Sequence, residues 1–296
     1  MSPLLLVSLY SFGLVLASLA GGRIPERFEM THTRTQLAMS LVSGLMLGIA
    51  IFHLLPHSVL TLGYADGLNR VMAWMALGLV TMLLLLRLFH FHQPDYHNAA
   101  EEEHDHAHCT TEHAIANPTV NWRGVLVGLS VHTLVDGAAL GAAVLGAAHG
   151  HAEELLGFGV FIAIVLHKPL DAMSITALMQ AGEVSLRAQR TANLLFALLC
   201  PLGALVFFFF ASGDGAAAQV LVGIALAFSA GAFICIALSD LLPEVQFHSH
   251  DRGKLTAVFL FGIVLSFLLA NATPGHQHTM DAPAPAALHD GASGGS

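Results

Sequence analysis

A chain of 296 residues with 55 % hydrophobic and only 10 % charged residues falls outside the composition of soluble domains, in which about a quarter of residues carry charge. Its formal charge of −9, with acids and histidines clustered and no basic patch, excludes nucleic acid as a partner. Three cysteines, Cys109, Cys200 and Cys235, are too few and too scattered for a disulfide framework or a four-thiolate zinc site, and Cys200 and Cys235 read as small apolar packers.

The apolar residues fall in eight blocks, 1–20, 37–58, 71–90, 122–148, 155–180, 192–212, 217–242 and 254–271, each near the twenty or so residues a helix needs to cross hydrocarbon. The pattern predicts an all-α, polytopic membrane protein with eight transmembrane helices. The first block has no basic stretch ahead of it and reads as a retained helix, a cleaved signal peptide being the alternative. Loops after helices one, three, five and seven hold Arg23, Arg27, Arg34, Arg123, Arg187, Arg190, Arg252 and Lys254, whereas the opposite loops hold Arg70 alone. The positive-inside rule puts the first set in the cytoplasm and both termini outside.

Four regions follow: helices one to three (1–89), a histidine- and acid-rich segment (90–121), helices four to eight (122–271) and an outward tail (272–296). Between His90 and His113 lie seven histidines, His90, His92, His97, His104, His106, His108 and His113, with six carboxylates and Cys109. Such a stretch cannot bury itself, so a mobile cytoplasmic loop is expected, and its imidazoles form many weak arrangements for zinc. The bland alternative is a polar linker of biased composition. The tail, rich in Ala, Pro, Gly and His, is expected to be disordered.

Helix four carries His132 and Asp136, and helix five carries His167 and Asp171. Residues i and i+4 share one helical face, so each pair presents an imidazole beside a carboxylate. Ionisable groups are costly against lipid, which turns all four into the bundle. Two nitrogens and two oxygens suit zinc. Both helices are rich in small residues, among them Gly128, Gly137, Gly141, Gly157 and Gly159, which are expected to let them approach closely and join the half-sites. Pro169 removes a backbone donor between His167 and Asp171 and is expected to kink helix five. Lys168, a cation beside the site, repels metal unless it pairs with a carboxylate or is neutral.

Secondary candidates are His53 in helix two, ahead of Pro56 and facing the bundle with His57 nearer the membrane surface, and Asp240 and Glu244 around Pro243 in helix seven. They are read as extra ligands or stations on an ion's route, or as hydrogen-bonded helix ends. For the four main residues the bland alternative is helix-to-helix hydrogen bonding. A membrane-embedded zinc hydrolase and a metal-sensing or metal-buffering protein are the other functional alternatives, the former without a well-placed acid or base.

These residues resemble the ZIP family of zinc and iron transporters over nearly the whole chain. The resemblance rests on His132, Asp136 and Gly137 in helix four, on His167, Pro169 and Asp171 in helix five, on His53 to Pro56 in helix two, and on Ser229, Gly231, Phe233, Leu242, Pro243 and Glu244 in helix seven. It implies uptake of divalent metal into the cytoplasm, with Zn²⁺ the default transported substrate, Fe²⁺, Mn²⁺ or Cd²⁺ as alternatives, and no prosthetic group. It also implies alternating access, with helices one, four, five and six moving past a more static block that forms a homodimer contact. Two-metal members have an asparagine and an acid where Thr133 and Lys168 stand, and a glutamate in helix six that this chain lacks. The resemblance therefore implies a single-ion site, with Lys168 in the second ion's space, paired to Asp136 or Asp171. A multi-pass protein of a bacterial inner membrane is the expected setting.

Overall fold

The computed structural model describes residues 2–24, 32–89, 122–148, 155–213, 215–241 and 252–271. The side chains of residues 32, 64–66, 89, 155, 156, 240 and 241 lie outside that description. Among the described residues every regular element is helical, and eight helices are long and apolar enough to cross a membrane. They are α1 (Pro3–Gly21), α2 (His32–Ile49, a π turn Ala50–Leu54, then Leu55–Leu62), α3 (Tyr64–Phe89), α4 (Trp122–Ala148), α5 (Leu155–Ala181), α6 (Leu186–Ala211), α7 (Ala216–Ile236 with a π turn Ala237–Leu241) and α8 (Arg252–Asn271).

Hydropathy found each helix, with α4 matched at both ends, but placed several starts too late. α2 begins five residues before the apolar block, α3 seven and α6 six, because a helix continues past the hydrocarbon into the polar interface, where Arg70 or Arg187 and Arg190 are tolerated. Local signals fix these ends. Ser185 caps α6, its hydroxyl oxygen accepting the Ala188 N–H at 3.4 Å. α5 closes with Val184 N–H on the Met179 carbonyl (2.9 Å) and Glu183 N–H on that of Gln180 (2.9 Å). That pattern holds Glu183 at φ 54°, a left-handed position usually given to glycine.

Polarity is distributed as lipid solvent demands. Phe210, Leu195, Phe209, Phe261, Phe12 and Leu88 point outward, while Ser40, Ser43, His132, Thr133, Asp136 and Lys168 are buried. Interior hydroxyls tie helices together: Ser43 of α2 donates to the Ala237 carbonyl of α7 (2.8 Å) and Ser40 to the Leu255 carbonyl of α8 (2.5 Å).

Glycines set the closest helix pairs. Gly44 and Gly262 bring α2 against α8, Gly78 and Gly231 bring α3 against α7, and Gly137 and Gly203 bring α4 against α6, a Cβ at any of them running into backbone of the partner helix. The small residues of α4 thus serve the α6 contact more than the α5 contact expected from sequence. Gly137 meets the backbone of Cys200, Gly203 and Ala204, while α5 offers Gly157 to Val144 of α4 and Gly159 to His53 of α2. The bundle divides into two blocks, α1 with α4, α5 and α6, and α2 with α3, α7 and α8.

Both π turns end on the first leucine of the same short sequence, Leu54-Leu55-Pro56 and Leu241-Leu242-Pro243. In α2 the Leu55 N–H reaches back five residues to the Ala50 carbonyl, so the ladder changes register just before a proline that has no N–H to give. Across Pro169, by contrast, α5 runs as one continuous helix.

Candidate metal centre

His132 and Asp136 sit one turn apart on α4, and His167 and Asp171 one turn apart on α5. Where the helices meet, one ligand atom from each of the four lies within 4.8 Å of all the others. Asp136 Oδ2 is the common point, 3.3 Å from His132 Nε2 and 3.2 Å from His167 Nε2. Asp171 Oδ2 stands farther off, 3.7 and 3.8 Å from the same two nitrogens. Asp136 is fully buried and both imidazoles nearly so, whereas the Asp171 side chain keeps 15 % of its exposure. The cluster therefore opens on the Asp171 side.

The ring of His167 is oriented by its own helix. Nδ1 lies 2.8 Å from the Ala163 carbonyl, an acceptor only, and so carries the proton. That contact fixes the ring so that Nε2 faces the Asp136 carboxylate. Other atoms are left without hydrogen bonds: both ring nitrogens of His132 and Oδ1 of Asp136. Buried polar atoms are rarely unsatisfied, and of these His132 Nε2 faces the Asp136 and Asp171 carboxylate oxygens at 3.3 and 3.7 Å. Imidazole nitrogen with carboxylate oxygen is the donor set of a borderline divalent cation such as zinc. The two rings lie 5.6 Å apart, and Phe233 of α7 meets His167 edge-on at 6.4 Å, closing one wall with apolar surface.

Lys168 completes the cluster. Its ammonium contacts Asp136 Oδ2 at 2.6 Å and Asp171 Oδ2 at 3.2 Å, so it pairs with both carboxylates rather than with one. It also donates to Thr133 Oγ1 (3.0 Å) and lies 5.6 Å above the Phe196 ring. Thr133 and Phe196 were not singled out in the sequence as partners of this cation. The i, i+3 spacing of Thr133 and Asp136 puts both on one face of α4, but no local pattern marks Phe196, which comes from α6.

Among the described residues, His53 and His57 are not part of the cluster of four. His53, buried in the π turn of α2, packs over Gly159 of α5, two turns before His167. His57 is likewise buried, with Nδ1 2.7 Å from the His53 carbonyl. Asp240 belongs to the second π turn, but its side chain lies outside the described residues. So do Glu244, the tail 272–296, and all seven loop histidines, His90, His92, His97, His104, His106, His108 and His113. Cys200 and Cys235 are buried and not joined in a disulfide.

A protein-family model described as ZIP Zinc transporter matches residues 92–270. The chain is similar to Zinc transporter ZIP9 of Micropogonias undulatus, 32 % identical over 58 % of each chain. It is similar also to Zinc transporter ZIP9-B of Xenopus laevis, 26 % identical over 92 % of this chain and 98 % of that one. A more partial likeness is to Protein zntC of Dictyostelium discoideum, 28 % identical over 48 % of this chain and 34 % of the relative. The chain thus spans just over half the length of the first relative and nearly all of the second.

Proposed function

Because the chain belongs to the ZIP zinc transporter family, and is a multi-pass divalent-metal transporter and not an enzyme, we propose that it takes up Zn²⁺ into the cytoplasm through one intramembrane site made by His132, Asp136, His167 and Asp171. The observation that carries this reading is the convergence of the four ligand atoms within 4.8 Å in a buried interior. Two imidazoles select a borderline ion over Mg²⁺ or Ca²⁺, and two carboxylates offset its charge where water is scarce. Fe²⁺, Mn²⁺ and Cd²⁺ are competitors for the same ligands.

The two-block packing supports alternating access. All four ligands and Lys168 ride on α4 and α5, inside the block that includes α1 and α6, so the ion travels with that block past α2, α3, α7 and α8. The contact between blocks near the site is apolar on the Phe233 side, as sliding surfaces require, whereas contacts within each block run backbone to backbone through glycine. His53, on the opposite block and against Gly159, and Asp240 are stations beside the path. The loop histidines collect ions at the cytoplasmic mouth. A bacterial inner membrane is the setting, and the block of α2, α3, α7 and α8 supplies a homodimer contact.

Zinc accumulation in proteoliposomes tests the reading. Wild-type protein fills vesicles down a zinc gradient and His132→Ala with His167→Ala does not, with both proteins inserted equally. A chain that binds zinc at this site without any flux would instead be a buffer or sensor.

A further inference from the structure

The half-site on the carboxylate side is already full. An ammonium has three N–H donors, and that of Lys168, 1 % exposed, meets three oxygens: Asp136 Oδ2, Thr133 Oγ1 and Asp171 Oδ2, at 2.6, 3.0 and 3.2 Å. The half-site on the imidazole side is less filled: His132 Nε2 has no hydrogen bond although it lies 3.3 Å from Asp136 Oδ2. The two halves share the same carboxylate oxygens, since Asp136 Oδ2 and Asp171 Oδ2 face both the ammonium and the two Nε2 atoms.

We propose that Lys168 is a fixed second cation of the transport site, which lowers its affinity for metal and speeds metal release. The inference rests on the four-ligand reading above. Two bare carboxylates in a low-dielectric interior would hold a divalent ion too tightly to let it go, and an empty site bearing two unpaired buried charges would be costly to carry back across the membrane. A tethered ammonium answers both problems: it draws part of each carboxylate's charge toward itself while metal is bound, and it keeps the pair neutralised to a single net charge after metal leaves. The side chain moves with α5, so this compensation accompanies the site in both directions. Its geometry is built for the task, because Thr133 and the Phe196 face hold the ammonium beside the carboxylates while leaving the imidazole nitrogens clear.

The experiment compares zinc uptake kinetics in proteoliposomes for wild type, Lys168→Met, Lys168→Gln and Lys168→Arg, with the zinc Kd of each detergent-purified protein measured by competition with a chelating dye. Removing a full charge so close to a divalent ion should lower KM and Kd about tenfold or more. The same change should lower kcat, because release slows, and Lys168→Arg should restore both toward wild type. Lys168→Gln keeps hydrogen-bonding capacity to the carboxylates and protects the comparison should the methionine variant fail to fold. Unchanged or raised KM and Kd in the folded neutral variants, with only kcat lost, would make Lys168 a packing residue and overturn the proposal. His132→Ala with His167→Ala separates the two readings. If that variant abolishes uptake while Lys168→Gln leaves affinity unchanged, only the lysine proposal falls. If it transports normally, the site itself falls.

Discussion

Replacing Asp136 by asparagine separates what this residue does for folding from what it does for transport. Its Oδ2 lies 2.6 Å from the Lys168 ammonium, a gross attraction on the order of 6 kcal/mol at an effective dielectric of about 20. Most of that is spent on desolvation, but leaving the buried ammonium with Asp171 alone still costs roughly 3–5 kcal/mol. At about 2–4 °C per kcal/mol, Asp136→Asn is expected to lower the melting temperature by roughly 10 °C in detergent, read by intrinsic fluorescence. The double variant Asp136→Asn with Lys168→Met removes the stranded cation along with its partner, so it should recover most of the lost stability. It should not recover zinc uptake, because the carboxylate nearest both imidazoles is still missing. Uptake at wild-type rate in the double variant would refute the assignment of Asp136 as a ligand, and a single variant as stable as wild type would refute the energetic argument.

His167→Ala should abolish zinc accumulation in proteoliposomes while leaving membrane insertion unchanged, since the truncation removes the ring that faces both carboxylates and leaves the apolar length of α5 intact. Gly203→Leu should prevent recovery of monodisperse protein on size exclusion, because its side chain would drive into the Leu134 backbone of α4, whereas Gly215→Leu, with open space around it, should purify and melt as wild type does. Deleting 90–113 should raise KM for zinc several-fold at low external supply without abolishing flux; complete loss of uptake would place part of the transport site in that segment. Ser43→Ala removes the hydroxyl that holds the Ala237 carbonyl at 2.8 Å and should cost about 1 kcal/mol, seen as a melting shift of a few degrees.

Much of this was legible in the chain because lipid is an exacting solvent. A run of twenty apolar residues has few options besides a membrane helix, and His132 with Asp136 or His167 with Asp171 inside such runs must turn inward. The i, i+4 spacing then placed each pair on one face without any knowledge of neighbours. Partner choice was not legible. The glycines of α4 announce a close approach but not which helix makes it, and the structure gives Gly137 to α6, so the two half-sites meet on a different face of α4. Lys168 could be expected to seek a carboxylate, but its three-oxygen cradle depends on Thr133 across the helix pair and on the Phe196 ring of α6, which are tertiary facts. The π turns at Ala50–Leu54 and Ala237–Leu241 escaped notice because one extra residue per turn leaves hydropathy unchanged. Only the prolines that follow hinted at a break in the ladder.

The most direct test is an anomalous difference map at the zinc absorption edge from crystals of the full chain grown with Zn²⁺. One peak per chain is expected among His132, Asp136, His167 and Asp171, about 2.0–2.2 Å from two imidazole nitrogens and at least one carboxylate oxygen, with the Lys168 ammonium still beside the carboxylates. Zinc bound elsewhere among the helices, with these four side chains free of metal, would contradict that assignment.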